Sequence, residues 1–406
     1  MEFNIATLSN GIRVIHLVTN SPVSHCGFII NAGTRDENND ESGIAHLTEH
    51  MLFKGTHKRK AFHILSRLDD VGGELDAYTT KEETALYASF LSEYYPRAIE
   101  LLNDIVFNSV FPAKELQKEK FVICDEINSY KDNPSELIFD EFESLLFENH
   151  ELGKSILGTE NTVKSIQVSQ IEKYIKRCFS TDNIVFTSVG NISFKKLLSL
   201  CQNTLQTNTK STRNSKREKF IQSKRFTITH SFNTYQAHCL MGNTAYSYCN
   251  DKRLALIVLS NILAGPAMNS RLNLLLREKH GITYNIESVY TPYTETGSFM
   301  LYYGTDEKNI SKCRHLIEKE ISTLCNNRLG TLQLSKAKKQ IMGQLALGFE
   351  IHSNLMLSIG KSYLLFNEVE DIGAMFSKID QITANDLMDA ANEVLYPEKL
   401  STLIYS

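Results

Sequence analysis

Two histidines and a glutamate in one short segment have the types and the spacing that metal-dependent hydrolysis requires. His46, Glu49 and His50 lie in the sequence GIAHLTEHMLFKGT. If residues 43–53 form a helix, the two imidazoles stack one turn apart and Glu49 lies about 60° around the helix from His46. The three side chains then share an arc of roughly 100°. The pattern therefore predicts a metal ion and an acid/base group above one patch of helix.

The chemistry of this set favours zinc. Neutral imidazole nitrogens suit Zn²⁺, and a hydrolytic zinc site keeps one position open for water. Bound zinc lowers the pKa of that water towards about 7, and a nearby carboxylate that is not a ligand can accept its proton. The order His-x-x-Glu-His is the inverzincin order of metallopeptidase motifs. The same five residues also fit two ordinary histidines on an amphipathic helix, so the motif alone leaves both interpretations open.

A zinc site with an open position needs a third protein ligand, and a second predicted helix offers two candidates. In the segment 113–131, Glu119 and Glu126 are seven residues apart and return to within about 20° of the same helix face. By spacing, either could reach the metal. Both could instead be solvated carboxylates of a charged helix. Their setting beside Val122, Ile123 and Ile127 favours a helix that is partly buried. Its predicted apolar side consists of Phe121, Val122, Cys124 and Ile127.

Composition limits the classes of function. The chain has 406 residues, 42% of them hydrophobic, which predicts a globular protein of two or three domains. A formal net charge of -4 gives no basic field for nucleic acid. No segment has the pattern of a signal peptide or the length of a membrane span. Eight cysteines stand singly, with no Cys-x-x-Cys pair. We expect a cytoplasmic protein with reduced, mostly buried thiols.

The elements that must position the motif follow from hydrophobic periodicity. A Ser-x-x-Glu capping box at Ser169 to Glu172 predicts the start of a further helix. Other predicted elements are strands at 11–18, 23–32 and 183–190, a hairpin within 74–91, and helices at 61–71, 95–110 and 113–131.

The second half of the chain repeats the first. Tyr78 matches Tyr290 and Thr84 matches Thr296, both at a separation of 212 residues. A capping box at Thr383 corresponds to the one at Ser169. A constant separation near half the chain length indicates duplication of one α+β unit. The metal motif is missing from the second copy, where LALIVLSNILAG stands in its place.

We therefore predict an α+β protein of two homologous halves, each a largely antiparallel sheet covered by helices, facing each other across a cleft. The predicted domains are an N-terminal zinc-binding catalytic domain at 1–205 and a C-terminal homologous domain at 225–406. Between them, residues 206–224 are polar, basic and poor in apolar side chains, which is typical of an exposed linker.

The whole chain resembles the family of zinc inverzincins that includes pitrilysin, insulin-degrading enzyme and mitochondrial processing peptidase, in its short bacterial form. The resemblance runs from LSNGIRVI and NAGTRDE to ITANDLMDAANEVLYPEKLSTLIY. In that family the second Glu of a Glu-x6-Glu pair is the third zinc ligand. The resemblance therefore implies one Zn²⁺ per chain held by His46, His50 and Glu126, with Glu49 as the base and Glu119 as a supporting acid.

The resemblance also implies where a peptide binds. The family's Gly-Gly-x-x-Asn-Ala segment forms an edge strand to which the peptide adds as an extra strand, and here it reads GGELDAY. Asp76, Ala77 and Tyr78 are then substrate-binding residues. Asp76 stands in the Asn position and cannot donate the amide hydrogen bond of Asn. Backbone pairing by Ala77 does not depend on that side chain.

In the second half, Arg277 and Tyr284 match a paired Arg and Tyr of the family. The resemblance implies that they hold peptide carbonyls and that Tyr284 stabilises the developing oxyanion. Without the family, a solvated helix arginine and a half-buried strand tyrosine are the favoured descriptions of the two residues.

The expected function is that of a zinc metalloendopeptidase acting on unfolded peptides, with no nucleic-acid or membrane partner. By analogy with longer family members, we expect a homodimer. One alternative is a non-catalytic structural or chaperone-like subunit of the same fold. Another is a processing peptidase subunit that needs a partner chain.

Overall fold

The computed structural model describes residues 2–205, 209–212, 217–221, 224–232 and 234–406. The strands are β1 Phe3–Thr7, β2 Arg13–Val18, β3 Val23–Ile30, β4 Glu74–Thr79, β5 Thr84–Leu91, β6 Ile184–Gly190, β7 Thr227–His230, β8 Ala237–Ala245, β9 Thr283–Pro292, β10 Gly297–Thr305 and β11 Ser401–Tyr405. The helices are α1 Ile44–Leu52, α2 Ala61–Asp69, α3 Tyr95–Asn108, α4 Ala113–Lys131, α5 Pro134–Leu146, α6 Glu160–Ser165, α7 Val168–Cys178, α8 Phe194–Thr204, α9 Arg253–Ala264, α10 Ile310–Asn326, α11 Thr331–Glu350, α12 His352–Phe366, α13 Ile372–Gln381 and α14 Ala384–Ala390.

The first compact unit is built around a sheet with the order β1-β2-β6-β3-β5-β4. It comprises residues Met1–Asn128, Lys154–Arg217 and Ala346–Ile372. Strands β2 and β6 are parallel, and the other neighbours are antiparallel. Inward-facing residues of one face, such as Val14 and Phe28, form a core with α1, α3 and α4. Residues of the other face, such as Ile15 and Ile29, pack against α12.

The second compact unit comprises Ser129–Gly153, Glu218–Leu345 and Gly373–Ser406. Its sheet has the order β7-β11-β8-β10-β9, with β7 and β11 parallel. Helices α9, α10 and α14 cover one face of this sheet. Helix α5 covers the other face with the buried side chains of Ile138 and Phe142.

The predicted α+β duplication is confirmed by the matching strand order β2-β6-β3-β5-β4 and β7-β11-β8-β10-β9. The predicted separation is one residue too short at the hairpin. The hairpin turns are closed by Thr80 N–H donating to the Glu83 carbonyl, and by Tyr293 N–H donating to the Thr296 carbonyl. These turns are 213 residues apart. Because side chains alternate along a strand, a shift of one residue moves Tyr78 and Tyr290 to non-equivalent positions.

Each unit takes one helix from beyond the linker. Helix α12 belongs to the first unit and α5 to the second, so the chain changes units at 128–129, 153–154, 345–346 and 372–373 as well as at 217–218. The change at 217–218 falls in the predicted linker 206–224, of which residues 206–208, 213–216 and 222–223 lie outside the described residues.

Two local predictions were wrong. Helix α7 has Gln167 as its N-cap, paired with Gln170 in a capping box, whereas Ser169 was expected there. On the predicted apolar side of α4, Phe121 and Val122 are 69% and 48% exposed, whereas Cys124 and Ile127 are buried as expected. The capping box that begins at Thr383 is confirmed. Within the described ranges, none of the helices is long and apolar enough to cross a membrane.

Candidate metal centre

The helix that carries the motif, α1, is fixed at its N-terminus by a buried carboxylate. Glu37 accepts hydrogen bonds from the backbone N–H groups of Gly43 and Ala45. Burial raises the pKa of Glu37 to about 8. Gly43 has a φ of 89°, and a Cβ there would lie 2.7 Å from the carbonyl oxygen of Leu157, so the position requires glycine. The buried apolar residues Ile44, Leu47, Met51 and Leu52 anchor the opposite side of the helix.

The three expected ligands lie together. His46 and His50 are one helical turn apart, with ring centroids separated by 4.6 Å. The Nε2 atom of His46 is 3.9 Å from Oε1 of Glu126, and Nε2 of His50 is 4.0 Å from Oε2 of Glu126. One potential ligand atom from each residue lies within 4.8 Å of the other two. Helix α4 therefore brings its carboxylate to the imidazoles of α1.

The second carboxylate of α4 contacts the back of one imidazole. Glu119 Oε2 is 3.2 Å from Nδ1 of His50, and Lys54 Nζ is 2.8 Å from Oε1 of Glu119. A carboxylate beside Nδ1 favours the imidazole tautomer that is protonated on Nδ1. Nε2 of His50 then carries a lone pair that can bind a metal. Glu119 thus lies where it orients His50, while Glu126 lies where it can itself bind a cation.

The side chain of Glu49 is partly buried, and its Oε2 atom has no hydrogen-bond partner among the described residues. Burial raises the pKa of Glu49, whereas the neighbouring Thr79 hydroxyl and His50 lower it. A carboxylate with a raised pKa and an unpartnered oxygen is suited to accepting a proton.

The donor set fits zinc. Burial, together with the charge of His50, lowers the pKa of His46 to about 4, so its imidazole is neutral and can bind a cation without first losing a proton. A tetrahedral site with bonds of roughly 2.0–2.2 Å separates its ligand atoms by about 3.4 Å, which small side-chain rotations can reach from the observed geometry. Two imidazoles and one carboxylate also leave a fourth position open.

The predicted edge strand is the outermost strand of the first sheet. Ala77 packs against the core on the side of α1, whereas Tyr78 faces the side of α12, where its hydroxyl donates to Glu83. The carboxylate of Asp76 accepts hydrogen bonds from the hydroxyl of Tyr87 and from the backbone N–H of Ala77. The side chain of Tyr78 is therefore held within the first unit, and the backbone of β4 remains the candidate contact for a peptide.

Arg277 and Tyr284 belong to the second unit. Arg277 lies in the π-helical segment Asn273–Lys279, and Tyr284 follows in β9 with 73% of its surface exposed. Both side chains are exposed, as a ligand contact requires.

Two residues at this centre were not predicted from the sequence. Lys54 lies four residues after His50 and beyond the end of α1, and nothing in that spacing shows its pairing with Glu119 on another helix. Glu37 lies in a polar loop, and nothing in the local sequence shows that its carboxylate turns back to cap α1.

The duplicated fold and the His-x-x-Glu-His helix define a candidate metallohydrolase of the inverzincin class. The model of the family described as Insulinase (Peptidase family M16) matches residues 13–160, and that described as Peptidase M16 inactive domain matches residues 165–341. An uncharacterized zinc protease of Bacillus subtilis is 31% identical over 98% of this chain and 97% of its own length. The chain therefore belongs to peptidase family M16.

Further relatives extend this comparison. The beta subunit of the mitochondrial-processing peptidase of Bos taurus is 27% identical over 97% of this chain and 82% of its own length. A solved structure of a peptidase M16 inactive domain from Pseudomonas fluorescens has a TM-score of 0.93 at 19% identity, covering 100% of this chain and 98% of that one. A protease from Helicobacter pylori has a TM-score of 0.91 at 18% identity, covering 100% of this chain and 99% of that one. These two structures share the fold.

Proposed function

We propose that this protein is a zinc metalloendopeptidase that hydrolyses unfolded peptides. The observation that carries the proposal is the convergence of His46, His50 and Glu126, whose ligand atoms lie within 4.8 Å of one another. These three residues would hold one Zn²⁺. When bound, zinc would supply a Lewis acid that lowers the pKa of water and polarises a peptide carbonyl.

The chain's own residues supply the remaining chemistry. Oε2 of Glu49 would accept a proton from the attacking water and return it to the leaving amine. Glu119 would keep the proton of His50 on Nδ1. By the family resemblance, Arg277 and Tyr284 would bind peptide carbonyls, and Tyr284 would donate to the oxyanion.

The substrate would bind as an added strand along residues 75–79 of β4. This strand is the outer strand of the first sheet, so its outward-facing backbone groups can pair with an extended peptide. Because pairing of this kind requires an extended backbone, the proposal restricts substrates to unfolded segments.

The test is to replace Glu49 by Gln and to measure zinc and cleavage together. The variant should keep about one zinc per chain by mass spectrometry and lose cleavage of an unstructured fluorogenic peptide by roughly 10²- to 10⁴-fold. Glu126→Gln should lose both zinc and cleavage.

Glu115→Gln is the matched control for these variants. Glu115 lies on the same helix one turn before Glu119 and pairs with Lys118, so its loss should change neither zinc content nor cleavage. Cleavage by the Glu49→Gln protein at close to the wild-type rate would disprove the assigned base. A wild-type protein that binds zinc but cleaves no peptide would instead support a non-catalytic subunit.

The assembly and location are further parts of the proposal. We propose a homodimer in the cytoplasm, supported by the analogy with longer family members and by cysteines that are free and, except for Cys249, buried. Light scattering that gives the mass of one chain would contradict the dimer. Cleavage that appears only after a different subunit is added would favour a two-chain processing peptidase.

A further inference from the structure

The backbone of β4 presents one donor at its centre to the open edge of the sheet. The turn after β4 is closed by Thr80 N–H donating to the carbonyl of Glu83 at 2.8 Å. Hydrogen-bonded pairs alternate with non-hydrogen-bonded pairs along an antiparallel ladder. Counting from the turn, the pair of Asp76 and Tyr87 is hydrogen-bonded, and the next position, Ala77, is not. The N–H and C=O of Ala77 therefore point away from β5.

That outward N–H is already bonded. Oδ1 of Asp76 accepts from the Ala77 N–H at 2.8 Å, and Oδ2 accepts from the hydroxyl of Tyr87 at 2.9 Å. Burial, with the hydrogen bond to Asp76, raises the pKa of Tyr87 to about 12, so the phenol remains a donor at neutral pH. Both carboxylate oxygens of Asp76 therefore accept hydrogen bonds, and Oδ1 occupies the outward N–H of Ala77.

We propose that Asp76 weakens peptide binding at β4 by occupying the Ala77 N–H that the carbonyl of an added strand would use. The inference rests on the proposed function, in which a peptide pairs with β4. A peptide carbonyl can reach this N–H only if the carboxylate swings away, and a carboxylate left beside that carbonyl repels its oxygen. Binding is therefore weaker than the open edge alone would allow.

The second copy of the unit shows that the hairpin does not need this polar pair. In the second sheet the equivalent positions, 213 residues later, are Val289 and Met300, which lie opposite each other in β9 and β10. An apolar pair therefore supports the same hairpin in the same register. Stabilisation of the hairpin does not account for an aspartate at position 76.

Peptide binding is measured with the Glu49→Gln protein as the parent, because this protein should not cleave the peptide. The effect of Asp76 on binding is then separate from any effect on cleavage. The probe is a fluorescent, unstructured peptide that the wild type cleaves. Asp76→Ala should lower its Kd roughly three- to tenfold, because the carboxylate no longer competes for a donor worth one charge-assisted hydrogen bond. Tyr87→Phe, which frees one oxygen of the carboxylate, should lower the Kd by a smaller factor.

Glu74→Ala is the control for charge, since Glu74 is an exposed acid of the same strand and face. It should change the Kd less than twofold. Hydrogen exchange measured by NMR gives an independent measurement, because the Ala77 amide should exchange faster in Asp76→Ala than in the parent. A Kd that is unchanged or raised in Asp76→Ala, or an unchanged Ala77 exchange rate, would overturn the inference.

The Ala77→Pro substitution distinguishes a wrong role for Asp76 from a wrong proposal that peptides pair with β4. Proline removes the outward N–H, and edge strands accept it where the N–H faces solvent. It should weaken peptide binding and abolish the effect of Asp76→Ala. If a folded protein with both Asp76→Ala and Ala77→Pro binds peptide as tightly as Asp76→Ala alone, pairing at Ala77 is wrong. If it binds more weakly while Asp76→Ala has no effect, only the role of Asp76 is wrong. If it does not fold, the comparison of Asp76→Ala with Glu74→Ala still decides the inference.

Discussion

Replacing Glu119 by Gln tests whether the second carboxylate of α4 supports the metal centre through His50. Glu119 is 6% exposed, contacts Nδ1 of His50 at 3.2 Å and is paired with Lys54 at 2.8 Å. Gln keeps an acceptor for the imidazole but removes the charge that makes His50 a stronger ligand. Loss of such an outer contact typically costs 10- to 100-fold in metal affinity, which corresponds to about 1.4–2.7 kcal/mol.

The assay is competition for zinc with a chromophoric chelator at neutral pH. Glu119→Gln should bind zinc 10- to 100-fold more weakly than the wild type, and Glu126→Gln should be weaker still because it loses a ligand. Glu115→Gln, which removes a carboxylate from an exposed part of the same helix, should match the wild type. If Glu119→Gln binds zinc within twofold of the wild type, the contact with His50 does not support the metal and the reasoning is refuted.

Two further predictions concern the scaffold. Burial raises the pKa of Glu37 from 4.5 to about 8. The fold therefore favours the protonated carboxyl, and the contribution of Glu37 to stability falls by about 1.4 kcal/mol per pH unit as the pH rises through this range. In urea unfolding, the free energy of unfolding of the wild type minus that of Glu37→Gln should decrease as the pH rises from 4.5 to about 8. A difference that does not change with pH would contradict the raised pKa. Gly360→Ala in α12 would place a Cβ 2.8 Å from Thr187. It should destabilise the protein by about 1–3 kcal/mol in thermal melting. Gly348→Ala, whose Cβ would meet nothing within 4 Å, should be neutral or stabilising, and equal effects would contradict the packing argument.

The sequence was sufficient for the elements near the motif because their patterns are local. Helix α4 has the predicted bounds Ala113–Lys131, and α1 lies within the predicted 43–53. Helical spacing then paired Glu119 with Glu126 as candidate ligands, because two turns return a side chain to the same face, and the family resemblance chose Glu126. The same periodicity failed for Phe121 and Val122, since α4 has apolar residues on more than one side and the pattern cannot say which side the sheet covers.

Long-range features were beyond the sequence patterns. Helix α5 was not predicted, although Pro134 at its first position is a common helix start. Helix α5 packs on the second sheet and α12 on the first because each covers a sheet face that would otherwise be exposed. No local sequence pattern shows which sheet face a helix will cover. The cap of Asp76 on Ala77 was also hidden, because it depends on which backbone groups of β4 face outward.

Divergence of the two copies explains why chemistry is expected at only one of them. Helix α1 packs beside β4 and keeps polar side chains on the face that it turns away from the core. Its counterpart α9 packs beside β9 with apolar residues almost all round, and Ser260 of α9 is hydrogen-bonded to Ser288 of the strand. Pro292, at the end of β9, has no N–H to offer at the edge. The second copy thus has apolar packing where the first has the proposed metal ligands. A stability contribution from metal is therefore expected in the first unit alone, so that a chelator should lower the melting temperature of the wild type and leave that of Glu126→Gln unchanged.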